Sequence, residues 1–274
     1  MTILITGGRG KIARAVTAGL ISAGRDVRIA SRSPEDLPGS VGWDFDDPSS
    51  LAAALDGVTQ VFLYAEPSTA GLFAAAADAA GVRQVVLLSS MSAQAGNDEA
   101  ASDPHAQTEA LVGSGPYATT YLQPGAFMSN AIYWSHSIRA TGQVRLPYLD
   151  AEEAPIHEQD IADVAVRVLL DGPGGEHDGR GYPLTGPESM TRRAQLAQLA
   201  EITGATFEAV DLTADEARVE MSAMGRPAQI EALLAYWASR VGSPHPIEPA
   251  VEKLTGHSGR TFRTWLADHP GVFA

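Results

Sequence analysis

The chain opens on a short run rich in β-branched residues, Thr2-Ile3-Leu4-Ile5-Thr6, which Gly7-Gly8-Arg9-Gly10 brings to a stop. Apolar positions then recur at helical spacing (Ile12, Ala13, Val16, Leu20), and a second β-type run follows over 26–30. Strand, glycine turn, helix and strand within about thirty residues have the size of one βαβ unit. The alternation continues. Val41-Gly42-Trp43 reads as a short strand, and Asp47-Pro48-Ser49 opens a helix through Leu51 and Leu55. A strand over 58–64 and an alanine-rich helix over 70–80 follow, the helix closed by Gly81. Val85-Val86-Leu87-Leu88 is apolar at every position, the pattern of a strand covered on both faces. A loop over 89–103 leads to a helix over 105–112 and a sixth strand over 118–122. Strands alternating with helices predict an α/β fold with a doubly wound parallel sheet.

Beyond Pro124 the pattern loosens. Residues 127–139 read as a helix, 142–148 as a loop or edge strand, and 158–170 as a helix. The glycine-rich stretch 171–179 reads as a flexible surface turn, and 182–185 as a strand. Helices are expected over 191–203, 214–222 and 227–241, the last with an apolar stripe of Ile230, Leu233, Leu234, Trp237 and Val241. The expected organisation is a nucleotide-binding core over 1–150. Residues 151–274 complete the sheet and form a smaller, mostly helical lobe closing over the cleft.

Charge and composition narrow the function. A net charge of −14 disfavours binding to nucleic acid or to anionic membrane surfaces. The absence of cysteine removes disulfides, thiolate metal sites and thiol nucleophiles. The seven histidines show no ligand spacing, so no metal is expected. No apolar run reaches spanning length, and no charged leader precedes the first strand, which makes the cytoplasm the default location. Trp237 and Trp265 suit either a core or an interface, and the chain is expected to act as a monomer or small homo-oligomer on a small-molecule substrate.

The first glycine turn carries the chemistry. Gly7-x-x-Gly10-x-x-Ala13 lies between a strand and a helix. Gly7 permits the tight turn, Gly10 lets backbone approach a pyrophosphate, and Ala13 lets the helix pack on the strand. The helix N-terminus offers free N–H groups to an anion. Thr6, Gly7, Arg9, Gly10, Lys11 and Ile12 are therefore candidate cofactor-binding residues in a Rossmann-type unit. A unit selective for NAD carries an acid about 20 residues further on, to hold the ribose 2′-OH. Here the second strand runs into Ala30-Ser31-Arg32-Ser33, with no acid before Glu35. Arg32 can pair with a 2′-phosphate, and Arg9 and Lys11 add positive charge, so NADP(H) is the expected cofactor.

Further stretches resemble the NmrA-like branch of the atypical short-chain dehydrogenases/reductases. They are Asp44-Phe45-Asp46-Asp47-Pro48, Leu87-Leu88-Ser89-Ser90, His105-Ala-Gln-Thr-Glu109, Pro124-Gly125-Ala126-Phe127-Met128-Ser-Asn130 and Asp160-Ile161-Ala-Asp163-Val164-Ala165. The resemblance implies that Asp44 and Phe45 lie by the adenine, that Ala65, Glu66 and Pro67 line the cofactor, and that Pro124, Gly125 and Phe127 flank the nicotinamide. Ser89 and Ser90 end the fifth strand. Members of the family bind NADP(H) or NAD(P)H; some reduce quinones or enones, and others are redox sensors.

The proton relay of the wider superfamily, a Tyr-x-x-x-Lys pair with a serine, is absent. By resemblance its lysine falls at His105, its tyrosine at Ala101 and its serine at Met91, with Ser90 or Ser92 able to shift into that place. His105 has two readings, a replacement proton donor or a residue closing the helix after Asp103-Pro104. Met91, Phe127, Tyr133, Trp134 and Tyr148 are candidate substrate residues, and His157 is more consistent with structure than with chemistry. The implied activity is NADPH-dependent reduction of a small, fairly apolar electrophile such as a quinone or conjugated ketone. The alternatives are a non-catalytic NADP(H) sensor with a protein partner, and a non-redox isomerase or cyclase on the same fold.

Overall fold

The computed structural model describes residues 1–94, 103–223 and 225–273. In chain order its elements are β1 (Thr2–Ile5), α1 (Lys11–Ser22), β2 (Asp26–Ser31), β3 (Ser40–Gly42), α2 (Pro48–Leu55), β4 (Val58–Leu63), α3 (Pro67–Ala79), β5 (Gln84–Leu88), α4 (Pro104–Val112) and β6 (Ala118–Pro124). Then come α5 (Ala131–Thr141), β7 (Gln143–Pro147), β8 (Glu152–Glu153), α6 (Glu158–Asp171), β9 (Arg180–Leu184), β10 (Met190–Thr191), α7 (Arg192–Thr203) and β11 (Glu208–Leu212). α8 (Ala214–Met221), α9 (Pro227–Ser239), α10 (Ala250–Thr255) and α11 (Phe262–Asp268) complete the chain.

The chain forms two compact units, each discontinuous in sequence. The first comprises Met1–Gly125, Glu158–Leu184 and Pro249–Ser258, and the second comprises Ala126–His157, Thr185–Glu248 and Gly259–Ala274. Residue 150, where the sequence suggested a division, falls inside the second unit.

The first unit holds the doubly wound sheet, seven parallel strands in the order β3-β2-β1-β4-β5-β6-β9. The order reverses between β1 and β4, and the crevice beyond their C-terminal ends is where α/β sheets bind ligands. On one face Leu51, Leu55, Phe73 and Ala77 from α2 and α3 pack on Leu4, Val61, Leu63, Val85 and Leu87. α1 lies close to α6, where a Cβ on Gly19 would stand 2.8 Å from Val166 Cγ2. Two buried glutamines of the sheet satisfy each other and α6: Gln60 Nε2 donates to Gln84 Oε1 (2.5 Å) and to the Leu169 carbonyl (2.7 Å) at the end of α6.

The second unit is mostly helical, with two small sheets: β7 parallel to β11, and β8 antiparallel to β10. Trp265 is fully buried in it, among Met128, Leu199, Phe262 and Leu266. Trp237 packs beside Leu212, Ile230 and Leu234, and its Nε1 donates to Glu153 Oε1 at 2.9 Å. Trp265 is thus a core residue of this unit, whereas Trp237 is half-buried at the margin of its cluster.

Several expectations need correction. Residues 127–139 are not one helix: a 3-10 turn over Met128–Asn130 precedes α5. Of the two readings of 142–148, loop or edge strand, the structure has the strand: β7 pairs with β11, 65 residues further along. Only Ile230 and Leu234 of the α9 stripe are buried; Leu233 is largely exposed, and Val241 lies beyond the helix end. The stretch 171–179 is anchored rather than loose. His177 is buried, with Nδ1 2.7 Å from the Tyr182 hydroxyl and Nε2 2.9 Å from Asp171 Oδ2.

Candidate functional site

The glycine turn joins β1 to α1 at the reversal point of the sheet. Gly7 has φ +65, the left-handed region that favours glycine. A Cβ on Gly8 would lie 2.3 Å from Ile29 Cγ2, so the backbone is pressed against β2. Gly10 N donates to Gly7 O at 2.8 Å, and the first helical hydrogen bond runs from Arg14 N to Gly10 O. The N–H groups of Lys11, Ile12 and Ala13 therefore precede the helical ladder. The first turn of α1 carries no acid. A turn in which three of four residues are glycine, backed by N–H groups ahead of the helical ladder, fits a dinucleotide pyrophosphate. The Ile12 side chain is buried, which leaves only its backbone to face a ligand. Thr6 ties the floor of the turn to β4: its Oγ1 accepts from Tyr64 N (2.7 Å) and donates to Phe62 O (3.2 Å).

The three cations near the turn differ in their partners. Arg9 Nη1 sits 3.3 Å from Asp36 Oδ2, and Lys11 Nζ sits 3.9 Å from Glu158 Oε1. Arg32, immediately after β2, is exposed and forms no ion pair or hydrogen bond among the described residues. No carboxylate ends β2: Ser31 Oγ instead hydrogen-bonds to backbone at Ser33.

The remaining cofactor candidates of this unit fall at strand ends. Asp44 Oδ1 accepts from Asp46 N (3.0 Å), and Phe45 packs edge-on to Trp43 with centroids 5.5 Å apart. Glu66 is the N-cap of α3 and Pro67 its first residue, with Ala65 packed against the core beneath. Ser89 Oγ donates to Glu109 Oε1 (2.5 Å), which also accepts from Gln123 Nε2 (2.8 Å); Ser90 Oγ accepts from Ser92 N (3.2 Å). Gly125 N donates to Leu184 O, and a Cβ on Gly125 would lie 3.1 Å from Met91 Sδ. Pro124, Gly125 and Met91 are thus together.

His105 is exposed on the first turn of α4. The cap of that helix is Asp103, whose Oδ1 accepts from His105 N (2.8 Å) and Ala106 N (3.0 Å). The imidazole therefore takes no part in capping. Asp103→Ala is expected to lower stability by about 1 kcal/mol, read as a lower midpoint in chemical denaturation. Ala101 lies outside the described residues.

The aromatic candidates belong to the second unit, which does not bring them to one place. Phe127 bridges to Ile156. Tyr133 is 75% exposed, so within its own unit its ring covers no core. Trp134 packs edge-on to Phe262, whereas Tyr148 joins the separate cluster around Leu212 and Ile230. Tyr148 has φ 53, a strained position for a bulky residue. His157 is buried, its ring 6.4 Å from that of His269.

Two further features lie elsewhere on the first unit. A shallow cavity of about 270 Å³ between α3 and α4, lined by Gly71, Ala74, Leu111 and Pro116 among others, contains none of the candidate residues. Asp160, Asp163 and His257 each bring one ligand atom within 4.8 Å of the others. His257 Nε2 is already paired with Asp163 Oδ2 at 3.2 Å.

Among the described residues no helix is long and apolar enough to cross a membrane. A family model described as NAD(P)H-binding matches residues 7–172. A (4-alkanoyl-5-oxo-2,5-dihydrofuran-3-yl)methyl phosphate reductase from Streptomyces griseus is 37% identical over 283 residues, covering 99% of each chain. An NAD(P)H azoreductase from Xenophilus azovorans is 30% identical, again covering 99% of each. Among solved structures, an NADPH-dependent quinone oxidoreductase from Escherichia coli in complex with NADPH superposes with a TM-score of 0.78 at 22% identity, covering 97% of this chain and 99% of that one.

Proposed function

The chain belongs to the NAD(P)H-binding family and is an NAD(P)H-dependent oxidoreductase with NADP(H) as its cofactor; from that premise we propose that it reduces an electron-poor conjugated acceptor, a quinone or an unsaturated carbonyl compound. The observation that carries this reading is the missing proton relay. The chain has two lysines, Lys11 and Lys253, and the residues four positions before them are Gly7 and Pro249 rather than tyrosine. A plain ketone gains an alkoxide as hydride arrives and needs a positioned acid to quench it. A quinone or enone spreads that charge over a conjugated system and can take its proton from water. The cofactor supplies the hydride and the protein supplies orientation.

The relatives agree with this class. One is named for an alkanoyl-substituted oxo-dihydrofuran and another for azo reduction, both electron-poor groups. Residues 6–12 hold the pyrophosphate, Arg32 holds the 2′-phosphate, and Ser89, Ser90, Met91 and Gly125 border the reacting end. Met91, beside Gly125 in the same unit, is the proposed substrate contact, and His105 is the candidate donor on the helix after the fifth strand.

Purified protein mixed with NADPH should oxidise it in the presence of quinones and conjugated enones and leave saturated aliphatic ketones untouched, as followed by cofactor absorbance. Turnover of a saturated ketone at the rate of an enone would sink the proposal. Tight NADP(H) binding with no oxidation across the panel would turn the reading to the non-catalytic sensor.

A further inference from the structure

Tyr64 is the first residue after β4, and it was not among the cofactor candidates read from the sequence. Its ring lies along the glycine turn. A Cβ on Gly7 would stand 2.9 Å from Tyr64 Cδ2, and one on Gly10 would stand 3.8 Å from the Tyr64 hydroxyl. The side chain thus reaches from the first glycine of the turn to the N-cap of α1. Its position is fixed from behind: the backbone N donates to Thr6 Oγ1, and Phe62 meets the ring at 80° with centroids 5.7 Å apart. Its hydroxyl forms no hydrogen bond among the described residues, and it is not one of the fully buried unpartnered atoms. A phenol held rigidly beside a phosphate cradle, with its polar end uncommitted, is placed to meet a ligand there.

We propose that the Tyr64 hydroxyl donates a hydrogen bond to a pyrophosphate oxygen of bound NADP(H), making Tyr64 a cofactor-binding residue. This rests on the NADP(H) reading of the turn and not on the identity of the substrate. The competing role, the missing tyrosine acid of the reduction, fails on protonation. Burial pushes the phenol up to about 12, whereas an acid matched to neutral pH needs a lowered value. A phenol that stays protonated is a constant hydrogen-bond donor, and donation to an ionised phosphate is about twice as strong as between neutral partners.

Tyr64→Phe keeps the ring against Gly7 and removes only the donor. Titration calorimetry should show NADP+ binding about tenfold weaker, as expected for a lost hydrogen bond to a charged group. Adenosine 2′-monophosphate, which carries the 2′-phosphate and neither phosphate of the pyrophosphate, should bind Y64F within about twofold of wild type. The 31P resonances of the bound pyrophosphate should shift between wild type and Y64F, with that of the 2′-phosphate unmoved. NADP+ affinity unchanged in Y64F would overturn the proposal. An equal loss for both ligands would do so too, because the hydroxyl would then act on the shape of the turn. Failure of the wild-type protein to bind NADP+ would instead overturn the cofactor reading, and the role of Tyr64 with it.

Discussion

Arg32→Glu should weaken NADPH binding by about a hundredfold or more while leaving NADH within a few-fold, so that the cofactor preference inverts. The size follows from how charge is distributed around the turn. Arg9 is committed to Asp36 and Lys11 lies by Glu158, whereas Arg32 is exposed and has no partner among the described residues. A guanidinium can grip a phosphate with two parallel N–H···O bonds. Hydrogen bonds to charged groups contribute about 1.5–3 kcal/mol, and about 1.4 kcal/mol is tenfold in affinity. Glutamate removes that grip and adds repulsion against the 2′-phosphate; it also supplies the carboxylate that would hold a free 2′-OH. Arg32→Ala, which only removes the grip, should fall between the two. Calorimetry with both reduced cofactors over a salt series checks this, since the Arg32 contribution should shrink as ionic strength rises. An Arg32→Glu protein that still prefers NADPH would show that another group reads the 2′-phosphate.

The parts of the fold and of the site legible in the sequence are those where the signal is local. β1, the glycine turn, α1 and β2 form one contiguous unit in which apolar periodicity, glycine placement and the missing acid all point the same way. The central strands were equally plain, because a sheet covered on both faces needs unbroken apolar runs such as Val85–Leu88. What escaped was set by partners distant in sequence. β11 reads Glu-Ala-Val-Asp-Leu, too polar to announce a strand, and exists because β7 offers an edge to it. β8 and β10, two residues each, carry no pattern at all. The anchored turn at His177 looked loose because three of its glycines adopt positive φ, while the buried imidazole that holds it draws its partners from α6 and β9. A single cut in the chain could not describe units that the chain leaves and re-enters. Tyr64 went unread for a related reason. A tyrosine at a strand end looks like strand, and the signal available was its place directly after β4, the strand that pairs with β1 across the reversal of sheet order.

Two glycines of the turn, two residues apart, should fail in opposite ways when substituted. At Gly8 the obstacle is the protein itself: an added Cβ meets Ile29 Cγ2 at 2.3 Å, Leu37 Cδ2 at 3.0 Å and the Ala30 carbonyl at 3.3 Å. Forcing a methyl into a packed site costs about 1–3 kcal/mol, and each kcal/mol lowers the melting midpoint of a protein this size by about 2–4 °C. Gly8→Ala should therefore melt several degrees lower. At Gly10 the obstacle is the ligand. The residue is the N-cap of α1, with φ −68 and ψ 148, a conformation open to any residue. Its Cβ would meet only Gly7 O at 3.2 Å and the Tyr64 hydroxyl at 3.8 Å. Gly10→Val should fold with little loss, since a poor N-cap costs only about 1 kcal/mol. Its branched methyls would stand where the pyrophosphate must approach the N–H groups of Lys11, Ile12 and Ala13. Loss of those charge-assisted bonds, about 1.5–3 kcal/mol each, predicts NADP+ binding weaker by more than about a hundredfold. Thermal unfolding and calorimetry on the two variants separate the effects. A Gly10→Val protein that binds NADP+ as tightly as wild type would place the pyrophosphate somewhere other than the amino end of α1.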